Sequence, residues 1–197
     1  MQHSNREEWL QALAQALQPA MAAAGAPVEL THVRIGVGFP GGGARRLAIG
    51  QCWSSDASAD RSTEIFISPV LGTAADVDHV LLHELIHAAV GVKAGHGAAF
   101  GKPARALGLV GKLTATTAGD DCRAMLDALT AQLGPYPHAA LTTNGKKKDG
   151  TRQIKITCPA CGYVARTSQK WLDVGLPTCC CGCQMIDPRD DGDGEDE

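Results

Sequence analysis

Aromatic side chains are scarce in this chain. Three Trp, two Tyr and three Phe stand among 197 residues, so a core must be built mainly from Ala, Leu, Val and Ile. Long apolar runs are missing as well, because no stretch reaches the roughly 18 uninterrupted apolar residues of a membrane span. The first ten residues, MQHSNREEWL, carry acids and lack the basic segment and apolar run of a secretory signal. These absences predict a cytoplasmic protein that does not bind a membrane.

Charge is distributed unevenly, although its sum is only −3. Residues 187–197 hold seven acids and one Arg, whereas residues 144–170 hold seven Lys or Arg and one Asp. The hydrophobic content of 44% is that of a folded protein. We therefore expect a folded chain with a basic segment, followed by a disordered acidic tail over residues 188–197.

Hydrophobic periodicity predicts a mixed α+β fold with a separate cysteine-rich module. Residues 135–150 have the composition of a linker. We predict a first domain over 1–135, a linker over 136–150 and the cysteine-rich module over 151–187. The expected elements are helices over 6–23, from Thr73 to about Gly91, over 98–107 and over 120–133, and strands over 28–37, 45–53 and 63–68.

The segment His83-Glu84-Leu-Ile-His87 lies inside the second predicted helix. Residues at i and i+4 share one helix face, so His83 and His87 can present their imidazoles to one metal ion. Zinc lowers the pKa of a bound water to roughly 7, and the adjacent Glu84 can then accept its proton as general base. The spacing predicts a metal-dependent hydrolase in which Glu84 later passes the proton to a leaving amine.

A catalytic zinc ion has three protein ligands and one open position. His96 is the candidate third ligand, because Gly91 and Gly95 would allow the chain to leave the helix and turn back. His79 lies one turn before His83 on the same face, and we interpret it as a helix residue rather than a ligand.

Six of the eight cysteines lie between Cys158 and Cys183, a clustering that indicates metal binding in a cytosolic chain. Cys158-Pro-Ala-Cys161-Gly is a zinc-knuckle motif, and a second pair from Cys179, Cys180, Cys181 and Cys183 must complete the tetrahedron. We choose Cys180 and Cys183, which form a regular CxxC, while Cys179 with Cys181 remains an open alternative. The two isolated cysteines, Cys52 and Cys122, are expected to be small buried residues.

Basic and aromatic residues alternate along the cysteine-rich module. Such a surface suits contact with a nucleic-acid backbone together with base stacking. The residues concerned are Lys146–Lys148, Arg152, Lys155, Tyr163, Arg166, Lys170 and Trp171.

These motifs together resemble the SprT-like metalloprotease family, which includes the Spartan proteases that digest proteins crosslinked to DNA. The resemblance rests on HELIH at 83–87, HGAAF at 96–100, IFISP at 65–69 and the C-terminal cysteine motif, and it covers about residues 5–185. It implies a zincin-like domain with a small C-terminal zinc ribbon, two zinc ions, a protein substrate and a link to DNA. It also implies His83, His87 and His96 as ligands and Glu84 as the catalytic residue. The gap between His87 and His96 is short for this family.

Three functions remain open from the sequence. The first is a DNA-associated zinc endopeptidase. The second is a nucleic-acid-binding or transcription-associated adaptor whose zincin domain is mainly structural. The third is a peptidase of narrow specificity that is unrelated to nucleic acid.

Overall fold

A computed structural model describes residues 3–41, 48–142 and 153–189 of the chain. The chain divides into two compact units, Met1–Thr143 and Asn144–Glu197. The first unit packs helices against a small sheet, so the predicted mixed α+β class is confirmed. None of the helices in these described ranges is long and apolar enough to cross a membrane.

The first helix, α1, spans Arg6–Ala23 as predicted. It begins at Asn5, whose side-chain oxygen accepts a hydrogen bond from the Glu8 N–H at 2.8 Å. One face of the helix is completely buried, and this face supplies much of the core of the unit. The buried side chains are Trp9, Leu10, Leu13, Ala14, Leu17 and Met21.

Three short strands form the sheet of the first unit, in the order β1-β3-β2. Strand β1 spans Val33–Val37, β2 spans Gly50–Trp53 and β3 spans Thr63–Ile67. Strand β1 runs parallel to β3, while β2 runs antiparallel to it with Cys52 opposite Ile65. The predicted strands were longer: a 3-10 turn at Leu30–His32 precedes β1, and part of the second predicted strand lies outside the described residues.

Helix α2 spans Ala74–Val90 and carries the HELIH motif. It starts at the predicted Thr73 with a capping box, in which the Thr73 hydroxyl accepts from the Asp76 N–H and the Asp76 carboxylate accepts from the Thr73 N–H. Helix α3, Ala98–Ala106, follows after a 3-10 turn at Val92–Ala94.

A hairpin that the sequence analysis did not predict follows α3. Its strands are β4, Leu109–Lys112, and β5, Ala115–Ala118. Helix α4, Asp120–Leu133, comes next. The Arg123 guanidinium of α4 pairs with the fully buried Asp78 carboxylate of α2, and this pair joins the two helices.

The residues after α4 pack on the first unit instead of forming the start of a linker. Tyr136 is 7% exposed, and its ring meets Trp9 edge-on at a centroid distance of 5.1 Å. The Leu141 N–H donates to the Pro69 carbonyl at 2.8 Å, and His138 Nε2 lies 2.8 Å from the same oxygen. The predicted boundary at residue 135 therefore moves to about residue 143, and the rest of the predicted linker lies outside the described residues.

The second unit is a small cysteine-rich fold. Strands β6, Gln153–Thr157, and β7, Val164–Ser168, form an antiparallel hairpin that leads into the single-turn helix α5, Gln169–Leu172. Its buried core consists of Ile156, Cys158, Cys179 and Met185. Most of the predicted acidic tail, residues 190–197, lies outside the described residues.

Candidate metal centres and catalytic cleft

Three imidazole nitrogens converge in the first unit. The Nε2 atom of His96 lies 3.2 Å from His83 Nε2 and 3.1 Å from His87 Nε2. Two of these rings come from successive turns of α2, and the third comes from the segment between α2 and α3. The three histidines form a group that could hold one metal ion.

Two glycines bring His96 back towards α2. Gly91, which ends the helix, has a φ of 86°, and Gly95 has a φ of 54°. Both values lie in the region that residues with a Cβ rarely adopt. The chain can therefore reverse direction within the eight residues that lie between His87 and His96.

The Phe100 ring packs against the imidazole rings of all three histidines. It is completely buried, and its ring stacks on His87 with a centroid distance of 4.4 Å and lies 4.7 Å from His83. Its centroid is 5.1 Å from that of His96. The HGAAF motif thus contributes both a candidate ligand and the apolar support behind it.

Thr116 of β5 was not recognised in the sequence analysis. Its Oγ1 lies 2.8 Å from His83 Nδ1. A neutral His83 that donates from Nδ1 to this hydroxyl keeps the Nε2 lone pair for an ion. No local pattern marks Thr116, because its partner lies 33 residues away on another element.

Burial keeps the two helix histidines neutral. It lowers the pKa of His83 to about 3, with smaller contributions from His87 and His96, and it lowers the pKa of His87 to about 4. A neutral imidazole is the form that binds a metal ion.

Glu84 is 6% exposed and lies against strand β2. A Cβ atom at Gly50 would come within 2.5 Å of Glu84 Oε1 and within 2.7 Å of Val80 Cγ1, so a side chain at position 50 would force these side chains or the strand to move. Burial raises the pKa of the Glu84 carboxyl to about 7, and a hydrogen bond from the Cys52 backbone N–H opposes this shift.

The three histidines and Glu84 line one cleft with a volume of about 530 Å³. Its walls are Ala48–Cys52 on one side and the Thr114–Thr117 part of the hairpin on another, and α2 contributes His79 and Val80. His79 stays outside the group of three, as predicted, and its Nδ1 lies 3.2 Å from the Ala75 carbonyl oxygen of its own helix. The cleft therefore combines a candidate metal site, a buried carboxyl group and space for a ligand.

Four thiols converge in the second unit. The Sγ atoms of Cys158 and Cys181 are 3.4 Å apart, and those of Cys161 and Cys179 are 3.5 Å apart. All four sulfur atoms lie within 4.8 Å of one another and could hold a metal ion. This group contains Cys179 and Cys181 in place of the predicted Cys180 and Cys183.

The geometry of the two turns explains why Cys179 and Cys181 converge with Cys158 and Cys161. The Gly162 N–H donates to the Cys158 carbonyl at 3.0 Å, and the Gly182 N–H donates to the Cys179 carbonyl at 2.9 Å. Both glycines have positive φ values, 74° and 87°. The second turn is one residue shorter than the first, so the ligand that precedes each glycine is Cys161 in one turn and Cys181 in the other. The pair that converges with Cys158 and Cys161 is therefore the open alternative of the sequence analysis, Cys179 with Cys181.

The isolated cysteines are buried, as predicted. Cys52 is 8% exposed and Cys122 is 1% exposed. Burial raises the pKa of the Cys52 thiol to about 12 and that of Cys122 to about 11. Both thiols therefore remain protonated and pack as small apolar groups.

Comparisons with protein-family models, with curated proteins and with solved structures give no match to this chain.

Proposed function

We propose that this chain is a zinc-dependent endopeptidase of SprT type that acts in association with DNA. The observation that carries the proposal is the convergence of three histidine Nε2 atoms beside the buried Glu84 carboxyl group in an accessible cleft. The HELIH motif supplies three of these four groups: His83 and His87 as ligands and Glu84 as the proton-transferring carboxyl group.

The donor set fits zinc. Zinc accepts imidazole nitrogen at about 2.0–2.1 Å, so two ligands of a tetrahedral ion lie about 3.3 Å apart. The measured separations from His96 Nε2, 3.2 and 3.1 Å, are close to this value. Three ligands with a neighbouring carboxylate are the arrangement of a catalytic rather than a structural zinc site.

A bound zinc ion would polarise the carbonyl group of the substrate and make a water molecule more acidic. The protein's own contribution is the handling of the proton. Glu84 accepts the proton of the attacking water and then donates it to the amine that leaves, so one carboxyl group serves as base and acid. The Cys52 N–H and the close approach of Gly50 hold this carboxyl group in place throughout.

The cleft suits a polypeptide with uncharged side chains near the cleaved bond. Apart from Glu84 and the histidines, its lining consists of small apolar residues, threonines and Gln51. A protein substrate can enter as an extended segment, and the described residues that line the cleft include no Arg or Lys for a phosphate or a carboxylate.

The second unit is proposed to be a zinc ribbon. Two Zn–S bonds of about 2.3 Å in a tetrahedron place the sulfur atoms about 3.8 Å apart, and the thiol pairs at 3.4 and 3.5 Å approach this spacing. A unit with four fully buried side chains in its core gains much of its stability from such an ion.

The same unit supplies the proposed contact with DNA. Trp171 is 59% exposed and Tyr163 is 55% exposed, so both rings are accessible to a partner. The Lys170 ammonium group lies 5.1 Å from the centre of the Trp171 ring. An exposed ring beside a cation can stack on a base while the cation meets a phosphate. Lys146–Lys148 and Arg152 lie outside the described residues.

One experiment separates the three functions that the sequence left open. The zinc-loaded chain is incubated with a fluorescently labelled unfolded protein, with and without single-stranded DNA. We expect cleavage that DNA accelerates. DNA binding without any cleavage would instead establish the adaptor function, and cleavage at the same rate with and without DNA would establish a peptidase unrelated to nucleic acid.

A further inference from the structure

Two thiols of the second unit stand just outside the group of four. Cys180 is exposed, and its Sγ lies 3.9 Å from that of Cys179. Cys183 is half-buried, and its thiol group interacts with those of Cys181 and Cys158. All six thiols between residues 158 and 183 therefore belong to one sulfur cluster.

The six thiols can be described as three pairs: an inner pair, Cys158 and Cys161, a middle pair, Cys179 and Cys181, and an outer pair, Cys180 and Cys183. Cys158 and Cys161 come from the first turn and meet Cys181 and Cys179, respectively. The middle pair, Cys179 and Cys181, also contacts the outer pair, Cys180 and Cys183: Cys179 contacts Cys180, and Cys181 contacts Cys183. The Cys183 thiol interacts directly with that of Cys158 as well.

The backbone holds the outer pair close to the middle pair. The Cys179 N–H donates to the Cys183 carbonyl at 2.7 Å, and Thr178 pairs with Gln184 just outside this bond. The five residues from Cys179 to Cys183 therefore form a closed loop that carries four thiols.

We infer that this cluster is a binuclear site, which binds a second divalent d10 ion such as Zn²⁺ or Cd²⁺ in addition to the ribbon ion. Cys158 and Cys161 bind the first ion, Cys180 and Cys183 bind the second, and the thiolates of Cys179 and Cys181 bridge the two. Two tetrahedral ions need eight ligand positions, and six thiolates fill them when two are shared. Soft thiolate donors favour this class of ion, and modules with two zinc ions and six cysteines are a known arrangement.

The second ion adds no net charge to the unit. The first ion binds four thiols with loss of four protons and gives a centre of charge −2. The second ion adds two positive charges and displaces one proton each from Cys180 and Cys183, so the binuclear centre also has charge −2. The basic side chains of the unit therefore face the same charge of the metal–thiolate centre whether one ion or two are bound.

The test replaces zinc with ¹¹³Cd²⁺ in the full chain and combines metal analysis with cadmium NMR. We expect three ions per chain, one bound by the histidines and two by thiolates, and the two thiolate-bound ions should show cadmium–cadmium coupling through the shared sulfur atoms. The double variant Cys180→Ser/Cys183→Ser should lose one ion and the coupling. As a control, His96→Ala should lose the histidine-bound ion and keep both coupled signals.

A single thiolate-bound cadmium ion in the wild-type chain would overturn the inference. Two such ions without coupling would overturn it as well, since they would show that the second ion sits on exposed thiols without bridges. Because the wild-type spectrum alone decides between these results, the conclusion does not depend on the folding of the double variant. It is also independent of whether the first unit cleaves peptide bonds.

Discussion

At the residue scale, two of the candidate zinc ligands, His83 and His87, contact a neighbour that has no metal-binding role of its own. Thr116 faces the Nδ1 atom of His83, and Phe100 stacks on the ring of His87. Such partners fix the ring orientation and thereby lower the free energy needed to assemble the site. The local spacing of HELIH predicted the ligands but could not predict their neighbours, because Thr116 is distant in sequence.

Replacement of Thr116 by Val tests this orientation. The two side chains have similar shapes, but Val cannot accept a hydrogen bond from His83 Nδ1–H. We expect zinc affinity at the histidine site to fall by about 10- to 100-fold, measured by competition with a coloured chelator. Thr117→Val is the matched control, because Thr117 also lines the cleft but is exposed. Equal affinities for wild type and Thr116→Val would show that the hydrogen bond does not orient the ligand.

At the element scale, the position of Glu84 depends on the packing of strand β2 against helix α2. The capping box at Thr73 and Asp76 sets where α2 begins, and this local pattern was predictable from sequence. The sheet order was not predicted, because a strand of four residues has no sequence feature that identifies the strand with which it pairs. The hairpin β4–β5 was missed for a similar reason, since its Thr- and Gly-containing segment lacks a strong alternating pattern.

Gly50→Ala should disturb Glu84 while leaving the zinc ligands in place. The added Cβ would lie 2.5 Å from Glu84 Oε1, so the carboxyl group or the strand must move. A displacement of about 1 Å can reduce a catalytic rate by about 100-fold. We therefore expect kcat to fall by this order with zinc content unchanged.

Gly36→Ala in β1 is the matched control, because its Cβ would come no nearer than 3.9 Å to the Phe66 ring. Its kcat should remain close to that of the wild type. A Gly50→Ala variant with normal kcat would show that β2 does not position the carboxyl group. If Gly50→Ala also lost zinc, we would conclude that the substitution disturbs the fold of α2 and not only the position of the carboxyl group.

At the scale of the whole molecule, the two units carry two chemically different groups of residues that could each hold a metal ion. In the unit Met1–Thr143, the three histidines lie in a cleft together with a carboxyl group. In the unit Asn144–Glu197, the four thiols occur together with exposed aromatic and basic side chains. Sequence composition predicted this division because cysteine clustering and linker composition are visible without structure. The boundary was placed too early, since the packing of Tyr136 on Trp9 is a contact between distant residues.

Trp171→Ala should weaken binding to single-stranded DNA without changing the histidine site. Stacking of a base on an exposed aromatic ring contributes about 1–3 kcal/mol, so Kd should rise by about 5- to 150-fold in a fluorescence anisotropy titration at fixed salt. Val174→Ala is the control, because Val174 is 80% exposed on the same unit but cannot stack on a base. An equal Kd for wild type and Trp171→Ala would exclude this ring from a DNA interface.

The central claim is that Glu84 carries the proton in peptide-bond hydrolysis at the histidine site, and its most direct test is the cleavage rate of Glu84→Gln. Glutamine preserves the shape of the side chain but cannot accept the proton. With zinc content equal to that of the wild type, we predict that cleavage of an unfolded protein falls by about 100- to 10,000-fold. Cleavage by the variant at the wild-type rate would contradict the account.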